Sequence, residues 1–297
     1  MSVTLRSGAL EATYLPELGM VCGSLMAEGE ELLAQRGGPQ AYAERGSTFG
    51  IPLLYPWANR LSGWDVQGVE LPRDSPLVHV DGGTGLPIHG LLAATPYWRV
   101  VASDSASLAA ELDFGAHPEL LELLPFPHRI ALVAKLTEAR LSVALGVTPT
   151  GSQAVPISFG FHPYLRCERS AAEIELPVRQ RAILDQRGLP TGEHEPVARG
   201  ALDGPLGERT FDDCFDGLAA EPVFSVRDAT RSISIEFVSE WRVAQVYAPA
   251  GSDFICFEPM TAPVDALRSA EGLRWVAPGE RFTAEFAISI RSGRAGR

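Results

Sequence analysis

Apolar and polar residues alternate over short stretches along most of this chain, a period of two that predicts half-buried β-strands. Ile130, Leu132, Ala134 and Leu136 share one face of the stretch 128–137, and Leu141, Val143, Leu145 and Val147 share one face of 140–149. These two stretches read as a strand pair. In 280–291 the residues Phe282, Ala284, Phe286, Ile288 and Ile290 repeat the pattern. Stretches 2–6 and 9–15 read as a hairpin about Gly8, and 98–103 and 107–114 as another. Further strands are predicted over 221–227, 232–238, 242–248 and 254–258.

Helical signals are few. Residues 115–124 have room for one or two turns, closed by Pro125, and 260–267 reads as a loop around Pro263. Residues 185–210, rich in Gly, Pro and charge, read as a long surface excursion. The basic tail 291–297 reads as a frayed end. The 29 glycines and 23 prolines are spread over the whole chain, which suits many turns and opposes long helices. No repeat of fixed period and no linker breaks the pattern. The expectation is therefore all-β, one large antiparallel β-sandwich, with residues 1–297 as a single domain.

Composition narrows the partners. With 25 Lys and Arg against 37 Asp and Glu, the formal net charge is −12. That balance argues against nucleic acid, whose phosphates demand cations, and against an anionic membrane surface. An apolar fraction of 45% over 297 residues suffices for a sizeable core. No apolar run reaches the ~20 residues that span a bilayer, and Met1–Arg6 lacks a charged head followed by an apolar stretch. A cytoplasmic location is expected. Cys22, Cys167, Cys214 and Cys256 form no CxxC pair, and they read as reduced, buried residues. A monomer is the default expectation, with a homodimer as the alternative.

Five segments carry polar groups where an apolar core would not tolerate them. In Pro56-Trp57-Ala58-Asn59-Arg60, Trp57 and nearby Tyr55 suit an apolar platform for a sugar face. Arg60 offers five fixed donors for hydroxyls or a carboxylate. Ile88-His89-Gly90-Leu91 and Phe161-His162-Pro163-Tyr164 each set a histidine among apolar residues. Such a histidine is often a satisfied core residue, but burial also tunes its proton affinity for acid–base work. Phe211-Asp212-Asp213-Cys214-Phe215 sets two carboxylates between phenylalanines. Phe257-Glu258-Pro259-Met260 ends an apolar strand on a desolvated carboxylate, a competent base. No GxSxG elbow, HExxH or phosphate-binding P-loop is present. His79 and His89 have no accompanying carboxylate motif, so neither a metal nor a cofactor is expected.

Taken together, and in this order over residues 50–260, the five segments resemble the aldose 1-epimerase (galactose mutarotase) family. Each motif is short and unspecific alone; five in the family's order are not. The resemblance implies that family's large β-sandwich and interconversion of the α and β anomers of a hexose. It implies Glu258 as the base that takes the C1 hydroxyl proton and His162 as the acid that protonates the ring oxygen. His89 and Arg60, with Asn59 beside it, would act as donors near the ring oxygen and hydroxyls. Asp212 would hold sugar hydroxyls, with Asp213 as the alternative. Trp57, Phe159 and Tyr164 are candidates for stacking on the sugar.

Two departures separate the chain from the best-known galactose mutarotases. His89 is followed by Gly-Leu rather than a longer glycine-rich run, and the acidic segment reads Asp-Asp-Cys-Phe rather than Asp-His-Asn-Phe. Galactose specificity is therefore not carried over. The nearest alternatives are a hexose-6-phosphate 1-epimerase and a non-catalytic sugar-binding or sensing domain. For the phosphosugar reading Arg36, Arg45, Arg60 and Arg73 are the available cations, although the sequence shows no compact basic cluster.

Overall fold

The alternating stretches pair as the pattern predicts. In the computed structural model, which describes residues 2–292, His128–Leu136 lies antiparallel to Arg140–Pro149, with Ile130 opposite Val147 and Leu132 opposite Leu145. Arg140–Pro149 pairs in turn with Phe282–Ser292, setting Val143 opposite Phe286. These strands form the centre of a nine-stranded sheet that also includes 99–103, 107–113, 223–227 and 231–239. Cross-strand apolar pairs of this kind fix the register, because a slip of one residue would turn the whole apolar set to solvent.

A second sheet of six strands faces the first. Along it run Phe211–Phe215, Val243–Ala248, Phe254–Met260, Gly160–Phe161 and Leu53–Leu54, while Tyr164–Arg166 also pairs with Phe254–Met260. Its inner face meets the larger sheet directly. Phe161 lies 4.9 Å from Phe286 and Phe257 5.5 Å from Phe224, ring centre to ring centre. One continuous core runs from Leu5 to Ile290, and each fully buried Leu or Phe contributes about 1.5–3 kcal/mol. The N-terminal hairpin, Val3–Ser7 with Leu10–Leu15, extends into a four-stranded sheet. This is the antiparallel β-sandwich expected.

The structure corrects the reading in three places. Gly38–Arg45 forms an unpredicted helix, whose buried Tyr42 packs edge-on against Phe49. Only Ala41 and Tyr42 of its eight residues are buried, too narrow a stripe to show as a helical period. The 185–210 excursion contains the strand Pro190–Pro196, paired with Val178–Leu184; its mostly exposed residues leave no alternation to read. Ala266–Ser269 forms one helical turn at the end of the expected 260–267 loop. A turn was expected within 115–124, and Pro118–Leu121 is helical there. The four cysteines are free and buried. The expected fraying of the tail from 293 onward lies outside the described residues.

Candidate active site

The outer face of the six-stranded sheet carries the polar residues. In Phe254–Met260 the odd positions Ile255 and Phe257 enter the core, so Glu258 takes the opposite face. Gln245 lies directly across from Glu258 on the neighbouring strand. One strand further, Asp212 faces the same way, and Gln245 Nε2 donates to its Oδ1 at 2.7 Å. Asp213, next along the strand, points away and accepts from Arg181 Nη1 at 3.0 Å. The period of two thus decides between the adjacent carboxylates in favour of Asp212.

His162 arrives from the short crossing between Gly160–Phe161 and Tyr164–Arg166, where its backbone N–H donates to the Pro52 carbonyl at 3.1 Å. Gly160 permits that crossing, since a Cβ there would stand 2.7 Å from the Pro259 carbonyl oxygen. The Tyr164 ring lies flat on the imidazole, centroids 4.3 Å apart and planes 8° apart. His162 Nε2 is 3.2 Å from both Glu258 Oε1 and the Tyr164 hydroxyl. That hydroxyl also meets Thr48 Oγ1 at 2.6 Å and accepts from Arg36 Nη1 at 2.7 Å.

The loops supply the other wall. Asn59 and His89 both hold positive φ, 60° and 63°, a backbone state that costs a non-glycine residue roughly 1–3 kcal/mol and gathers at functional sites. Asn59 Oδ1 accepts from Arg60 Nη1 at 3.2 Å, and Arg60 Nε donates to Asp81 at 2.9 Å. The His89 N–H donates to the Asn59 carbonyl at 3.0 Å, and the His89 ring meets that of His162 edge to face at 5.5 Å. Gly90 is required beside it: at φ 79° a Cβ would lie 2.1 Å from the Tyr55 carbonyl oxygen.

Arg60, His89, Asn59, His162, Asp212 and Glu258 thus line one cavity of about 360 Å³. Its electrostatics follow from burial. Burial, then the nearby Asp212 charge, push the Glu258 carboxyl well above the usual carboxylate range. Burial, then the His89 and Arg36 charges, hold His162 well below its usual value. Burial and Arg60 bring His89 to about 3. Burial raises Asp212 against the pull of Arg60 and Gln245. For Asp81 burial acts upward, but hydrogen bonds from Thr84 and Arg60 prevail and bring it to about 2. Glu258 Oε2, His162 Nδ1, His89 Nδ1 and Gln245 Oε1 are buried without a hydrogen-bond partner among the described residues. Native interiors rarely leave such atoms unpaired, and four gathered on one cavity make it the candidate ligand site. A larger groove of about 700 Å³, bordered by Arg166, Glu168 and Asp228, holds none of these groups.

The expected aromatic platform is overturned. Trp57 is 1% exposed and Tyr55 equally buried; both belong to the core and neither lines the cavity. Tyr55 instead bonds His128 Nε2 through its hydroxyl at 2.6 Å. Phe159 packs edge-on against Trp241 in the same core. Tyr164 does border the cavity, but its ring face is taken by His162. The large apolar surface that suggested a sugar platform is what the core claimed. Arg36 and Arg45 join Arg60 on the cavity, so the basic cluster absent from the sequence exists in space, while Arg73 lies over Trp64 outside it. Gln245, Tyr247 and Thr48 also line the cavity and were not foreseen. Gln245 had a signal: it is an amide inside the apolar run Val243–Ala248.

Comparison with known proteins gives the family and the fold. The aldose 1-epimerase family pattern matches residues 1–289. The uncharacterized Escherichia coli (strain K12) protein YphB is 26% identical over 264 residues, covering 80% of this chain and 82% of its own. The uncharacterized YihR of the same organism is 24% identical over 262 residues, covering 80% and 77%. Among solved structures, a galactose mutarotase-like protein from Clostridium acetobutylicum superposes with a TM-score of 0.83 at 18% identity, over 98% of this chain and 95% of its own. This chain belongs to the aldose 1-epimerase family.

Proposed function

We propose that this protein is a mutarotase, interconverting the α and β anomers of a hexose by paired acid–base catalysis. The observation that carries the reading is the buried Glu258–His162 pair, 3.2 Å apart, with one unpartnered polar atom on each side chain. Opening a hemiacetal ring needs one proton removed from the C1 hydroxyl and one delivered to the ring oxygen. Glu258 takes the first and His162 gives the second. The C1–O5 bond breaks as the C1–O1 bond becomes a carbonyl. The aldehyde turns about C1–C2, and reclosure from the other face returns both protons. Asp212, Gln245, Arg60, Asn59 and His89 offer donors and acceptors for the sugar's hydroxyls, and holding the ring against the pair supplies much of the advantage.

The test is the anomer exchange rate of freshly dissolved α-D-glucose and α-D-galactose, followed by NMR or polarimetry with and without protein. Acceleration that is lost in Glu258→Gln supports the reading. A wild-type rate in the Glu258→Gln, His162→Ala double variant would overturn it, and saturable sugar binding with no acceleration would move the assignment to a binding domain.

A further inference from the structure

The acid–base step gives no part to the Tyr164 hydroxyl, although it lies 3.2 Å from His162 Nε2. Tyr164 is 1% exposed and Thr48 6%, so their hydroxyls must find partners inside the protein. A phenol has one proton and two lone pairs to place. Arg36 Nη1 settles one lone pair, donating to it at 2.7 Å. The same nitrogen donates to the Thr48 carbonyl at 3.1 Å, and the guanidinium lies 4.9 Å over the Tyr164 ring. A guanidinium only donates, so the sense of that bond is fixed. Arg36 makes it from a positive φ of 46°, a strained backbone state for a non-glycine residue. Burial raises the phenol well above its usual value, so it keeps its proton.

One proton and one lone pair remain, for two neighbours. Thr48 Oγ1 lies 2.6 Å from the phenol and can donate or accept there. When His162 Nε2 carries a proton, the phenol accepts from it and gives its own proton to Thr48. When Nε2 has lost that proton, Thr48 donates to the phenol and the phenol donates to Nε2. Turning two hydroxyls exchanges the patterns without moving a heavy atom. His162 passes through both forms in every turnover, since it gives a proton to the ring oxygen and recovers it on reclosure. Nε2 is the nitrogen concerned, because it faces Glu258 Oε1 at 3.2 Å. We propose that Tyr164 is a positioning residue whose hydroxyl, set by Arg36 and switched by Thr48, pairs with His162 both before and after proton transfer. A group that only donates or only accepts would oppose one of the two forms, and an unpaired buried imidazole is costly. The flat stacking of the two rings, 4.3 Å apart and 8° from parallel, keeps Nε2 within reach of the hydroxyl. The inference rests on the mutarotase reading and adds the group that accompanies its acid.

Anomer exchange would be measured on D-glucose and D-galactose for wild type, Tyr164→Phe, Thr48→Val, Thr48→Ser and the Tyr164→Phe, Thr48→Val double variant. Tyr164→Phe keeps the stacked ring, Thr48→Val keeps the shape and Thr48→Ser keeps the hydroxyl. The expected result for Tyr164→Phe is a kcat about tenfold lower, with KM changed by less than about twofold. Thr48→Val should lose about as much, and Thr48→Ser should keep the wild-type kcat. The double variant should be no slower than Tyr164→Phe, because both changes break one chain. A wild-type kcat in Tyr164→Phe or in Thr48→Val overturns the proposal, and so do losses that add in the double variant. A raised KM at unchanged kcat also overturns it, since the hydroxyl would then be a sugar contact. If the wild type accelerates neither sugar, the mutarotase reading fails instead. The nitrogen NMR resonance of His162 Nε2 then decides the chain. A shift in Thr48→Val, which leaves Tyr164 in place, supports it, and an unmoved resonance overturns it.

Discussion

Glu258, on a strand, and His162, in the crossing between two short strands of the same sheet, meet at 3.2 Å, both almost wholly out of solvent. With no proton the pair would leave a buried negative charge, and with two a buried positive one. A single shared proton is therefore favoured over a widened range, which is why burial moves the carboxyl up and the imidazole down. The expected kcat/KM profile is a bell with a broad plateau through neutrality. Activity should fall at low pH, where the pair gains its second proton, below the usual histidine range. It should fall at high pH, where the pair loses its only proton, above the usual carboxylate range. A profile that rises through pH 4.5 and declines above 6.5, the ordinary values of the two groups, would show that they do not act as a buried pair.

Under the proposed mechanism, Glu258→Gln removes the base while keeping size and most hydrogen bonding. The expected loss in kcat is about 10²- to 10⁴-fold, with KM changed far less. A parallel rise in KM and an unchanged kcat would mean that Glu258 binds sugar rather than moving a proton.

Asp81 touches Arg60, not the reacting pair, and holds the guanidinium at 2.9 Å against the cavity wall. Asp81→Ala should free that side chain, raising KM about tenfold while leaving the acid and alkaline limbs of the kcat profile in place. A shift of either limb would place Asp81 in the proton chemistry instead.

Gly90→Ala puts a methyl group 2.1 Å from the Tyr55 carbonyl oxygen at a φ of 79°. The loop must move, and His89 moves with it. Loss of about 2–4 kcal/mol in urea unfolding, together with a raised KM, is expected. A variant with wild-type stability would show that the close approach is not maintained in solution.

His128, which does not line the cavity, stacks on Phe114 at 4.4 Å and is bonded to Tyr55. Burial lowers it from 6.5 to about 4. It stays neutral when folded, while the unfolded chain takes up a proton below pH 6.5. Its contribution is therefore complete above that value and lost as pH falls towards 4, by about 3 kcal/mol. His128→Gln should be less stable at pH 7 and should lose less stability on acidification than wild type. Parallel pH curves for the two would rule out this histidine as a source of acid sensitivity.

The sequence by itself determined the strands, because alternation is a local property: each of 128–136, 140–149 and 282–292 shows its buried face within a few residues. It also carried the chemistry-bearing positions His162, Glu258, Arg60, His89 and Asp212, because an ionisable group set in an apolar run has few structural uses. Tertiary structure decided what the same local pattern leaves open. It sent Trp57 and Tyr55 to the core rather than to the sugar, since the core had space for their area. It chose Asp212 over Asp213 through strand register with Val243–Ala248. It brought Gln245 opposite Glu258, and it carried Arg36 and Arg45 to a cavity whose other residues lie up to 222 positions away in the chain. No spacing rule encodes such meetings, because they depend on which sheet faces pair across the sandwich, and that is settled only when the whole apolar surface is buried at once.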